Sequence, residues 1–93
     1  MGYYLTAKQL NKQITTFYYP DKRKFDPERK SFLRSLGVSI NDNTETTKVF
    51  SKGDLLKSKS IISTLSNMEG EITFLDQCLE VTNGNKTITI TFN

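Results

Sequence analysis

The chain has 93 residues, with 13 Lys plus Arg against 10 Asp plus Glu, no His, no Trp and a single Cys. A chain of this length builds one compact domain with one modest core, and aromatic residues at 11% provide large side chains for it. The His and Cys counts exclude zinc sites made of imidazole and thiolate, catalysis by an imidazole base, and an internal disulfide.

Charge is unevenly placed. Residues 1–38 hold eight basic and three acidic side chains, and residues 39–93 hold five basic and seven acidic ones. The first part is thus +5 and the second −2, for a net charge of +3, which points to an acidic partner for the first part. No N-terminal apolar run is long enough for a signal peptide or a membrane helix, so a cytoplasmic location without membrane contact is expected.

The first predicted element is a helix opening at Leu5-Thr6-Ala7-Lys8-Gln9-Leu10. Thr6 can cap it, Gln9 can return the bond, and Leu5 can staple onto Leu10. Leu10, Ile14, Phe17 and Tyr18 follow at helical spacing, and Pro20 forces an end near Tyr18 or Tyr19. A second helix is bounded by Asp26 as cap, Pro27 at the first helical position and Gly37 as stop. Phe32, Leu33 and Leu36 form its apolar stripe, with Arg29, Lys30 and Arg34 pointing elsewhere.

Residues 39–47 are polar and read as a loop, followed by a very short strand at Lys48-Val49-Phe50. A third helix begins with Ser51 as cap and Asp54 three residues on, a capping box with Phe50 stapled to Leu55. Leu55, Leu56, Ile61, Ile62 and Leu65 make its expected buried face, and Asn67 and Gly70 bracket its end. Beyond Gly70 the period changes to two, with Ile72 and Phe74, then Leu79 and Val81, then Ile88, Ile90 and Phe92. That alternation predicts three strands, the last two joined by a hairpin through Asn83-Gly84-Asn85. The expected fold is therefore α+β: three short helices followed by a three-stranded antiparallel β-meander, one domain over residues 1–93 with a helical part at 5–66 and the meander at 71–92.

Chemistry has few places to sit. Cys78 is the only strong nucleophile, but no His can activate it and Asp76 nearby disfavours the thiolate, so it reads as a space-filling residue. Asp42, Glu45 and Asp54 lack the alternating spacing of a calcium loop, and the five glycines are isolated, so neither a metal, a nucleotide nor any other cofactor is expected. The concentrated feature is the run from Phe17 to Arg34, where Tyr18, Tyr19, Lys22, Arg23, Lys24, Arg29, Lys30 and Arg34 form a basic and aromatic patch. Cations neutralise phosphates and Tyr stacks on bases, while Tyr and Arg are also the side chains enriched at the centres of protein interfaces.

Tyr4-Leu5-Thr6-Ala7-Lys8-Gln9-Leu10, Leu36-Gly37-Val38-Ser39 and Lys48-Val49-Phe50-Ser51-Lys52-Gly53-Asp54-Leu55-Leu56 resemble parts of excisionase and MerR-type winged helices. That resemblance implies a small DNA-binding regulator. In general character the chain also resembles accessory proteins of phages of low-GC Gram-positive bacteria, of the anti-CRISPR type, which implies inhibition by stoichiometric contact. The only cationic helix, at 27–36, is short and carries acids at its N-terminus, which favours a protein partner over a DNA groove. The leading expectation is a non-enzymatic inhibitor binding a host nucleic-acid-handling effector through residues 17–34, the alternative a DNA-binding regulator. A third reading is self-association along an exposed edge at Thr87–Phe92.

Overall fold

The computed structural model describes residues 3–20, 27–38 and 45–93, with residues 27–29 described by their backbone alone. In chain order the elements are strands β1 (Tyr3–Gln9) and β2 (Lys12–Tyr19), helix α1 (Pro27–Ser35), strand β3 (Thr46–Ser51), helices α2 (Lys52–Ile62) and α3 (Glu69–Glu80), and strand β4 (Thr87–Phe92). The strands form one antiparallel sheet in the order β2-β1-β4-β3. The class is α+β, but the predicted order is overturned, because the described residues hold four strands and three helices and the sheet begins the chain.

Two segments account for the difference. The segment predicted as the first helix, opening at Leu5 and ending near Tyr18 or Tyr19, instead lies in a β-hairpin over residues 3–19 whose two-residue turn is Leu10-Asn11, with φ of 50° and 66°. Left-handed backbone at both turn positions matches the twist of the flanking strands. Tyr3, Leu5 and Ala7 alternate inward along β1 and are buried, whereas Leu10, placed on the apolar face of the predicted helix, is 95% exposed. The alternation prevails because β1 pairs on both sides, Leu5 lying opposite Phe17 of β2 and Phe92 of β4.

The first two strands predicted beyond Gly70, at Ile72 and Phe74 and at Leu79 and Val81, are replaced by helix α3 over Glu69–Glu80 with Val81 as its C-cap. Its buried residues are Glu71, Phe74, Leu75 and Cys78, which repeat at three, four and seven residues as one helix face does. A charged residue at the head of that stripe hid the period. Asn83-Gly84-Asn85 consequently joins α3 to β4 and closes no hairpin, although Gly84 does hold a φ of 67°.

The other elements follow local chemistry. The described C-terminal end of α1 is a Schellman motif: Gly37, at φ 71°, donates to the Arg34 carbonyl at 3.0 Å, and Val38 donates to the Leu33 carbonyl at 3.0 Å. The cap assigned to Asp26 lies outside the described residues. At α2 the capping box is complete, with the Asp54 amide donating to the Ser51 hydroxyl at 3.3 Å and the Ser51 amide donating to the Asp54 carboxylate at 2.9 Å. Of its expected buried face only Leu55 and Ile62 are buried, and Leu56, Ile61 and Leu65 are exposed.

The core lies between the sheet and the helices. The sheet contributes Tyr3, Leu5, Ala7, Tyr19, Phe50, Ile88, Ile90 and Phe92, and the helices contribute Phe32, Leu33, Leu55, Ile62, Phe74, Leu75 and Cys78, all buried in one cluster. Each large side chain buried here contributes about 1.5–3 kcal/mol by transfer from water. Phe74 ties the layers together, its ring lying edge-on to Phe32 of α1 at 6.1 Å and to Phe17 of β2 at 6.4 Å. Gln9 fastens the tip of the hairpin by donating to the Val81 carbonyl at 2.6 Å and the Thr87 carbonyl at 3.1 Å. Ser35 and the fully buried Ser58 join α1 to α2 through hydroxyls 2.6 Å apart.

β4, expected at an edge, is an inner strand between β1 and β3, so its hydrogen-bonding groups are used on both sides and the edge proposed for self-association does not exist there. The edges are β2 and β3. Among the described residues no helix is long and apolar enough to cross a membrane.

Candidate partner-binding site

Of the predicted patch, the side chains of Tyr18, Tyr19, Lys30 and Arg34 are described, and they do not share one surface. Tyr18 is exposed on β2, and its ring lies 4.6 Å from that of Tyr4, its cross-strand partner, at an interplanar angle of 41°. Tyr19, next in sequence, points the other way; it is buried, and its hydroxyl donates to the Glu71 Oε2 at 2.6 Å. Strand parity separates the two residues and turns Tyr19 into the core, on the face opposite Tyr18. Lys22, Arg23 and Lys24 lie outside the described residues, as does the side chain of Arg29. Lys30 and Arg34 are exposed on α1, in the helical layer.

Two surfaces emerge in place of one. The first is the sheet face turned away from the helices. It presents Tyr4, Thr6 and Lys8 from β1, Gln13, Thr16 and Tyr18 from β2, Thr47, Val49 and Ser51 from β3, and Thr87, Thr89 and Thr91 from β4. Thr16, Thr6, Thr91 and Thr47 stand in one row across all four strands, with the Thr47 and Thr91 hydroxyls 3.2 Å apart. Lys8 is the one charge on this face among the described strand residues, although a quarter of the whole chain is charged. Tyr4 at 47% and Tyr18 at 44% exposure leave a large aromatic surface in water at one corner.

The second surface is a groove of about 450 Å³ on the helical side, lined by Arg34 to Gly37 at the end of α1, Lys48 and Phe50 of β3, and Asp54, Lys57 and Ile61 of α2. Lys48 lies opposite Ile90 and therefore faces the helices at the sheet edge. Its ammonium donates to the Gly37 carbonyl at 3.2 Å and sits 5.8 Å from the centre of the Phe50 ring, which places a cation at the negative end of α1. The Asp54 carboxyl is held below its usual range by the Ser51 backbone amide first, then the Ser51 hydroxyl, with smaller contributions from Lys48 and Lys57.

Nothing in sequence order announced this groove, because Arg34, Lys48 and Lys57 come from three elements. The signal available was Lys48 at an inward strand position, an unusual place for a cation. Tyr4 was likewise missed, since its pairing with Tyr18 exists only once 3–19 is a hairpin. Catalytic candidates gain nothing from the fold. Cys78 is wholly buried in α3, and burial pushes its thiol up to about 12. No group of three or more Cys, Asp or Glu side chains among the described residues could hold a metal ion.

Compared with protein-family models, with curated proteins and with solved structures, the chain matches none of them.

Proposed function

We propose that the protein is a non-enzymatic binding protein of the phage-inhibitor kind, acting by stoichiometric contact with a nucleic-acid-handling effector of a bacterial host, as anti-CRISPR proteins do. The observation that carries this reading is the open sheet face, where two exposed tyrosines in mutual ring contact stand in a field of Thr with a single charge among the described strand residues. The centres of protein interfaces are poor in charge and rich in Tyr, and a rigid Tyr buries much area at little entropic cost. The basic run Lys22-Arg23-Lys24 follows β2 closely in sequence, and its charge would steer the protein to an acidic partner.

A second reading is direct contact with nucleic acid by a small regulator. It is favoured by the same tyrosines, because exposed aromatic rings on an open sheet accept stacked bases, and Lys8, beyond Thr6 on the same face of β1, can meet a phosphate.

One experiment separates the two. The wild-type chain and a Tyr4→Ala/Tyr18→Ala variant are used to capture partners from host lysate, while labelled duplex DNA and single-stranded RNA are titrated at two salt concentrations. The inhibitor reading expects an equimolar protein partner retained by the wild type and weakened at least about 30-fold by the variant. Tight nucleic-acid binding that falls steeply with salt, with no such partner, would transfer the function to the second reading.

A further inference from the structure

We propose that the groove between α1, β3 and α2 is a separate docking site for an acidic peptide segment that carries an apolar anchor residue. It lies on the helical side against edge strand β3, whereas the Tyr4–Tyr18 corner lies on the opposite face by edge strand β2. The proposal is therefore independent of the function assigned to the sheet face.

Charge complementarity selects the acidic half of the occupant. Among the described residues, Arg34, Lys48 and Lys57 converge on the groove against Asp54 alone, and Asp54 already accepts from the Ser51 amide at 2.9 Å and the Ser51 hydroxyl at 3.0 Å. Arg34 and Lys57 make no ion pair among the described residues, so both can receive carboxylates from outside. Because the three cations come from three elements, they surround the groove and form no track along one helix.

The apolar half follows from the lining. Leu36 and Phe50 belong to the buried core behind the groove, and Ile61, one turn beyond Lys57 on α2, is 44% exposed beside it. A volume of about 450 Å³ admits a few side chains. A nucleic-acid strand fits less well: among the described residues Phe50 is the only aromatic in the lining, and it is buried with Lys48 over its ring, so the described lining offers no open ring for a base to stack on.

The test is selection of random 12-residue peptides displayed on phage against the full chain, followed by affinity measurements with the enriched peptides as synthetic compounds. Expected is enrichment of sequences pairing two or more Asp or Glu with Leu, Ile or Phe. Their affinity should fall at least about tenfold for Arg34→Glu/Lys57→Glu, and severalfold for Ile61→Ser, with thermal melts of both variants near wild type. Inorganic phosphate and an oligo-dT strand serve as comparison probes. Selection without acidic enrichment, or enriched peptides that bind the variants as tightly as wild type, overturns the proposal. Oligo-dT binding that is lost in the same variants would instead reassign the groove to nucleic acid.

Discussion

The hydroxyl of Tyr19 on β2 donates to the Oε2 of Glu71 on α3 at 2.6 Å, and both residues are buried. Fifty-two residues of chain separate them, so this bond exists only when the hairpin lies against the helix. Removing the donor by Tyr19→Phe leaves the carboxylate buried without that partner, which costs about 1–3 kcal/mol. Urea unfolding of Tyr19→Phe should show that loss, whereas stability equal to wild type would mean that the bond contributes nothing.

The hairpin turn stores strain at Leu10. A Leu at φ 50° crowds its own carbonyl, and at 95% exposure the side chain gains no burial in return. Asn tolerates that backbone region. Leu10→Asn should therefore stabilise the chain by about 1 kcal/mol, raising the melting temperature by about 5 °C; an unchanged or lower melting point would contradict the strained turn.

Gly70 opens α3 where Phe17 crosses it. A Cβ there would stand 2.7 Å from Phe17 Cε1, and the ring is packed against Tyr19 at 4.9 Å and Phe74 at 6.4 Å, so it cannot yield freely. Although Ala favours helix by up to ~1 kcal/mol, Gly70→Ala should destabilise by a net ~1–2 kcal/mol. Phe17→Leu should relieve much of that penalty, and a double-mutant cycle would show it as a non-additive coupling.

Cys78 holds its proton to about 12 in the folded state, against an ordinary value of 9.0, because burial penalises the thiolate. The native protein should resist iodoacetamide at pH 8 and react only when denatured. Between those two values the folded state binds the proton that the unfolded state releases. This contribution to stability is complete below pH 9 and falls as pH rises above it. A native thiol that alkylates as fast as free cysteine would refute the burial.

Local chemistry was enough for some elements. Gly37 was readable as the end of α1 because only a residue that tolerates positive φ closes a Schellman motif. Ser51 and Asp54 were readable as the start of α2 because a capping box needs only its own four residues. Ile88, Ile90 and Phe92 alternate cleanly in β4, and all three are buried.

The candidate site was legible only in pieces. Tyr18 was identified from its own neighbourhood, but adjacent Tyr19 was grouped with it, since a helix would have left both near one surface while a strand turns them to opposite faces. Lys48 and Lys57 could not be joined to Arg34 in advance, because their convergence follows from α1, β3 and α2 packing together.

Composition by itself determined that this small chain has no imidazole chemistry and no internal disulfide, and short-range signals determined the end of α1, the start of α2 and the strand β4. Tertiary structure alone decided residues 3–19 and α3. Leu10, Ile14, Phe17 and Tyr18 have helical spacing while Tyr3, Leu5 and Ala7 alternate as a strand, and strand won because β1 gains partners on both sides, one of them contributed by the far end of the chain. In α3 the deciding residue was Glu71, whose burial is sustained by a hydroxyl 52 residues away; a buried carboxylate is legible only beside the donor that satisfies it.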